Sequence, residues 1–222
     1  MPSSPTEDTM GRKEHWEAVY GKKKPDEVSW YQAEPTLSLK LIDQAAGQRP
    51  ASVIDVGGGA STLVDRLLGR PTMKVTVLDL SGAALGAAQQ RLGPQAGSVT
   101  WIEADILNAD LPEGAYDTWH DRAVFHFLTD VKDRRRYVEQ VSRSVKVGGH
   151  VLVATFDADG PTKCSGLDVA RYSPDELHAQ FGSAFRLLRS EHESHVTPWG
   201  AIQKFVYCVC SVEGPEHVRH AA

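Results

Sequence analysis

Apolar positions along the chain change their spacing twice, and each regime predicts a different kind of element. Near the start, "GRKEHWEAVYG" has helical propensity up to Gly21, and "EPTLSLKLIDQAAG" places Leu37, Leu41 and Ile42 like a buried helical stripe before a stop at Gly47. Between them "KPDEVSWYQ" reads as a loop carrying two aromatics. From Ala51 onward, short β-branched runs alternate with helical patterns: "SVIDV", "STLVDRLLG", "MKVTVLDL", "SGAALGAAQQRLG", "SVTWIEAD", "AYDTWHD", "DRRRYVEQVSRSV" and "GGHVLVATF". Strand and helix in this alternation predict right-handed βαβ units and a parallel sheet covered on both faces. "SPDELHAQFG" predicts one more helix, with Ser173 as N-cap, Pro174 at its first position and Gly182 marking its end. The last third turns to period two: "FRLLRSEHESHVT" and "AIQKFVYCVCSVE" are separated only by "PWG", so the sheet ends in an antiparallel hairpin.

The expected fold is therefore α/β: a doubly wound, seven-stranded, mostly parallel sheet with an antiparallel C-terminal hairpin and helices on both faces. Residues 1–10 are expected to be a flexible lead-in, 11–50 a helical cap or lid, 51–213 the ligand-binding domain, and 214–222 a frayed end.

Composition narrows the partners. With 222 residues, 41% of them apolar, the chain can bury a large core as one domain. A net charge of −5 provides no global positive field for a nucleic-acid backbone or an anionic membrane, and the runs Lys22–Lys24 and Arg134–Arg136 read as solvated faces. Cys164, Cys208 and Cys210 form neither a paired framework nor a metal quartet, and His192 and His195 fall on opposite faces of a strand, so no metal site is expected. The N-terminus lacks an apolar signal core and no apolar run is long enough to span a bilayer, which makes a cytoplasmic location the expectation.

The chemistry concentrates at strand ends. In "VIDVGGGAST", Gly57, Gly58 and Gly59 lie between the first parallel strand and a helix, where glycine lets the backbone approach a ligand and the helix N-terminus offers free N–H groups. Asp79 ends the second strand 22 positions after Gly57, where an acid can accept hydrogen bonds from both ribose hydroxyls. The dinucleotide fingerprint is incomplete, because Thr62 stands where its third glycine belongs. Asp55, just before the glycines, and Asp105, ending the third strand, would repel a pyrophosphate and suit a ligand that is partly cationic.

Taken together, these motifs resemble the class I S-adenosylmethionine-dependent methyltransferases over roughly Ala51 to Glu213. "VIDVGGGAS" is similar to the family's first motif, "VLDLS" to its ribose-binding acid, "EADI" to its adenine loop, "YDTWHDRAVFHFL" to its fourth strand and "VKVGGHVLVATF" to its fifth. The resemblance implies S-adenosylmethionine as cofactor. Gly57 and Gly59 would line its methionine part, with Gly58 between them also in the cofactor site, Asp79 with Leu80 would hold its ribose and Asp105 with Ile106 its adenine, and Trp30 would belong to a lid over it. Asp55 would approach the amino end, or else cap the glycine turn.

The stretch "WHDRAVFHFL" would sit where a methyl acceptor meets the cofactor, since the fourth strand ends at the topological switch point. Asp121 is expected to point into the pocket and orient a nucleophile, or to anchor the following turn. His126 is a candidate base or a structural histidine, and Arg122 either binds an anionic substrate or pairs with Asp121. The partner implied is a methyl acceptor: a small thiol, metalloid or carboxylate, or a protein lysine, whose methyltransferases carry a similar "DRA". A catalytically silent cofactor-binding module and a nicotinamide-dependent oxidoreductase are the rival readings.

Overall fold

The computed structural model describes residues 7–214, so the lead-in up to Thr6 and the terminal stretch from Pro215 lie outside the described residues. Helix α1 (Glu7–Lys22) is followed by a loop and α2 (Thr36–Ala46), after which the alternation begins: β1 (Ala51–Val56), α3 (Leu63–Leu68), β2 (Met73–Asp79), α4 (Gly82–Leu92) and β3 (Val99–Glu103). Next come β4 (Tyr116–Arg122), α5 (Val131–Ser144), β5 (Val145–Phe156), a two-residue-stranded hairpin β6 (Lys163–Cys164) and β7 (Leu167–Asp168), α6 (Pro174–Ala179), β8 (Phe185–Val196) and β9 (Ile202–Val212). Helix α1 starts ahead of the boundary expected at residue 11, and the β6–β7 hairpin has no counterpart in the hydrophobic pattern.

Caps mark several helix starts. The Ser81 hydroxyl accepts from the Ala84 N–H and the Asp130 carboxylate from the Lys132 N–H, while Ser173, the expected N-cap, forms a reciprocal capping box with Glu176. At the end of α2, Gly47 takes φ 62° and returns its N–H to the Asp43 carbonyl, a conformation glycine adopts without the steric cost of a side chain.

The seven strands run in the order β3-β2-β1-β4-β5-β9-β8; β1 to β5 are parallel and β9 is antiparallel to both its neighbours. Strand alternation divides the core in two. Ile54, Val56, Trp119, Val151 and Val153 pack with Tyr137 and Val141 of α5. Val53, Val75, Val77, Leu152 and Ala154 pack on the other face with Leu41 and Ile42 of α2 and with α3. Burial of each such side chain contributes about 1.5–3 kcal/mol, enough to fix which strand residues face which layer. Among the described residues no helix is long and apolar enough to cross a membrane, and no cluster of metal-ligating side chains occurs.

Candidate active site

Strand order reverses between β1 and β4, so their carboxyl ends flank a crevice. Two adjoining cavities open there. The first, about 810 Å³ and partly open to solvent, is bordered by Gly57, Asp79, Leu80, Asp105 and Ile106 on the sheet side. Trp16 and Tyr20 of α1, Trp30, Phe127 and Cys164 close its other side. The second, about 550 Å³, shares Gly57, Trp30 and Arg122 with the first and adds Asp55, Gly58 and His120.

The glycine turn tolerates no side chain. Gly57 has φ 69°, and a Cβ there would lie 2.0 Å from Cγ2 of Val124; one on Gly58 would lie 2.5 Å from Oδ2 of Asp55. Gly59 does not border either cavity, but a Cβ on it would lie 2.5 Å from Oδ2 of Asp79, so its bareness makes room for that carboxylate. Gly57→Ala is expected to cost about 2 kcal/mol of stability through backbone strain and overpacking. It should also abolish the rise in melting temperature on adding S-adenosylhomocysteine, checked by thermal melts with and without it; an undiminished rise would show that the turn does not touch ligand.

Asp79 accepts the Ser81 N–H at 2.8 Å through Oδ1. Burial pushes its carboxyl up to about 7, and the nearby charge of Asp55 acts in the same direction. Asp105 accepts the Leu107 N–H at 3.0 Å and the guanidinium of Arg12, carried by α1, at 3.3 Å. Asp55 does not cap the glycine turn: the N–H groups of Gly57 and Gly58 go to the Leu78 carbonyl. Instead its Oδ1 meets Nδ1 of His120 at 2.7 Å, and His120 Nε2 lies 2.8 Å from the Ser38 hydroxyl. Oδ2 of Asp55 is buried and without a hydrogen-bond partner in the protein. His120 is thus a buried histidine with a hydrogen-bond partner at each ring nitrogen.

At the β4 exit Asp121 takes the second of its two expected roles, anchoring the following turn. Asp121 does not point into either cavity. It shares its strand face with Trp119, toward α5, where it accepts the Tyr137 hydroxyl at 2.5 Å and the N–H groups of Val124 at 2.9 Å and Phe125 at 3.1 Å. Ala123, at φ 75°, turns the chain back so that both N–H groups reach that carboxylate. His126 also lies off the cavities, fully buried between Phe127 and Phe156 with neither ring nitrogen hydrogen-bonded in the protein. Burial drives its pKa down to about 3, with the Arg122 charge adding to the effect, so at neutral pH the ring is uncharged and enclosed and reaches no acceptor as a base. Arg122, one residue on from Asp121 and on the opposite face, borders both cavities and pairs with Glu193 rather than Asp121.

These groups fit an adenosyl sulfonium. Asp79 and Asp105 can accept from ribose and adenine donors, the orphaned Asp55 oxygen can take an N–H, and aromatic faces at Trp16 and Trp30 favour a cation. A pyrophosphate in the same turn would face the carboxylates of Asp55 and Asp79. Residues 53–149 match the family described as methyltransferase domain. Over that segment, from β1 into β5, the chain is similar to the class I S-adenosylmethionine-dependent methyltransferases.

An uncharacterised methyltransferase of Mycobacterium tuberculosis is 31% identical to this chain over 116 residues, covering 52% of the chain and 56% of the relative. The chain thus spans about half the length of the curated relatives it matches first. The EEF1A lysine methyltransferase 2 of Homo sapiens is 22% identical over 83% of this chain and 80% of its own. Among solved structures, the 1,6-didemethyltoxoflavin-N1-methyltransferase of Burkholderia thailandensis, with bound 1,6-didemethyltoxoflavin and S-adenosylhomocysteine, superposes with a TM-score of 0.69 at 17% identity. That match covers 96% of this chain and 93% of the neighbour, and shows the shared fold.

Sequence reasoning missed Arg12, Tyr20, Ser38 and Glu193, all of which border the cavities or hold residues that do. Arg12 reaches Asp105 across 93 residues and Gln32 reaches Glu193 across 161, separations at which no local pattern carries a signal.

Proposed function

We propose that the chain transfers the methyl group of S-adenosylmethionine to a small, flat acceptor whose nucleophilic atom carries a free lone pair at neutral pH, such as a heteroaromatic nitrogen, a thiol sulfur or a metalloid. The observation that carries this reading is the cavity itself: the glycine turn, Asp79 and Asp105 along one side, and the rings of Trp16, Trp30 and Phe127 along the other. The cofactor supplies an electrophilic methyl group.

The protein's part is positioning. Gly57 lets the backbone approach the cofactor, Asp79 and Leu80 hold its ribose, Asp105 and Ile106 its adenine, and Asp55 with Gly58 its amino end. The aromatic wall excludes water and orients the acceptor, in the sense that alignment of reacting atoms supplies most of what an in-line displacement needs. Base catalysis is not part of the proposal. Burial pushes the Cys164 thiol up to about 11 and raises the Tyr20 hydroxyl, so neither is an acceptor of protons near pH 7 as a thiolate or phenolate. The Burkholderia neighbour's heteroaromatic substrate is in keeping with an acceptor of this kind. Three free, buried cysteines suit a reducing, cytoplasmic setting.

A second reading, a protein lysine acceptor, is favoured by the human relative that aligns over most of both chains. Calorimetry with S-adenosylhomocysteine, with NAD and NADP as controls, tests the cofactor; binding of a dinucleotide alone would sink the proposal. Labelled S-adenosylmethionine with a panel of heteroaromatic amines, thiols, selenite and a lysine peptide then tests the acceptor. Label transfer to the peptide alone would replace the small-acceptor reading, and binding without transfer to any acceptor would favour a silent cofactor-binding module.

A further inference from the structure

We propose that Glu193 is a specificity-determining residue of the acceptor end: it cancels the charge of Arg122 and thereby fits the cavity to uncharged acceptors. The inference rests on the small-acceptor reading above. Among the described residues two cations border the first cavity, and one of them, Arg12, is drawn to Asp105 and Asp133. The other, Arg122, donates through Nε and Nη2 to one oxygen of Glu193, at 3.2 and 3.0 Å, and through Nη1 to the Trp30 carbonyl at 3.1 Å. Its guanidinium lies 4.1 Å from the centroid of the Phe205 ring.

Glu193 collects two more donors, the Gln32 amide at 2.9 Å and the Tyr207 hydroxyl at 3.4 Å. Both charged side chains are little exposed, 8% for Arg122 and 14% for Glu193, so solvent screens the pair weakly. An unpaired guanidinium in such a place would draw a carboxylate bidentately. With Glu193 seated against it, the ligand meets a neutral pair beside the rings of Trp30 and Phe127. The carboxylate also ties the Trp30 loop in place, through Gln32 directly and through Arg122 on the Trp30 carbonyl. Register fixes it there, because Glu193 stands opposite Phe205 in the β8–β9 ladder.

The test compares wild type with Glu193→Gln, which keeps the side chain's shape and one acceptor oxygen while leaving Arg122 charged. Calorimetric binding of S-adenosylhomocysteine to wild type comes first; its failure removes the methyltransferase reading and is separate from the result sought. With both proteins saturated with S-adenosylhomocysteine, benzoate and its uncharged isostere benzamide serve as probes. The variant is expected to gain at least tenfold for benzoate with benzamide unchanged within about twofold, and adding Arg122→Gln should erase the gain. Glu193→Asp, which keeps the charge, should behave as wild type. Equal shifts for both probes, no gain for benzoate, or a gain that survives Arg122→Gln would overturn the assignment. So would a variant whose only change is tighter S-adenosylhomocysteine, since Arg122 would then serve the cofactor's own carboxylate.

Discussion

Replacing Asp121 with alanine is expected to lower the unfolding free energy by about 3–5 kcal/mol, the range seen when one member of a buried charged network is removed. The affinity of the folded fraction for S-adenosylhomocysteine should stay within about threefold. Three donors lose their partner at once: the hydroxyl of Tyr137, itself receiving the Trp119 indole N–H at 2.9 Å, and the N–H groups of Val124 and Phe125. Each buried donor left unsatisfied costs about 1–3 kcal/mol. Asp121→Asn keeps one acceptor and should cost about half as much. Urea unfolding alongside calorimetry separates the outcomes. A variant that melts like wild type yet transfers no methyl group would return Asp121 to the reaction.

Asp79→Ala is expected to weaken S-adenosylhomocysteine binding on the order of 100-fold, since two hydrogen bonds from ribose hydroxyls to one buried carboxylate together contribute about 3 kcal/mol. The pH dependence has a defined sign. Unfolded, this carboxyl titrates near 4, and burial raises it to about 7 in the folded chain without ligand. Between those values the folded state holds the extra proton, so this group's contribution makes stability fall as pH rises from about 4 to 7. Ribose donors favour the ionised form, so affinity should rise with pH through that window and binding near pH 6.5 should release a proton. Calorimetry in two buffers of different ionisation enthalpy counts that proton. No proton release by wild type would mean that Asp79 does not change ionisation on binding, and equal release by Asp79→Asn would mean that another group titrates.

His126 shows how much of the expected site was position without access. The stretch "VFHFL" lies at the crevice by strand order, and Val124, Phe127 and Leu128 do border the cavity. The short 3-10 turn over Phe125–Phe127 rolls His126 away from it, into contact with Phe156. His126→Phe should therefore leave cofactor binding intact. The unfolded histidine takes up a proton below about pH 6.5 and the folded one does not until about 3, so the variant's stability relative to wild type should improve as pH falls below about 6.5.

The sequence by itself determined the sheet, its hairpin end, the glycine turn and the acids that close the second and third strands. Those features are local: alternation of β-branched and helical runs, glycine where φ is positive, and strand ends that always meet ligand in a doubly wound sheet. The sequence also placed Asp121 and Arg122 side by side at the end of β4. Which of the two faces the ligand was beyond it, because the answer depends on what covers each face. Only the tertiary structure brings Tyr137 of α5 over one side and the Trp30 loop, Ser38 and Glu193 over the other. Buried polar groups go where their hydrogen bonds are met, and here the partners come from elements far away in sequence, so packing decided what the strand's own pattern left open.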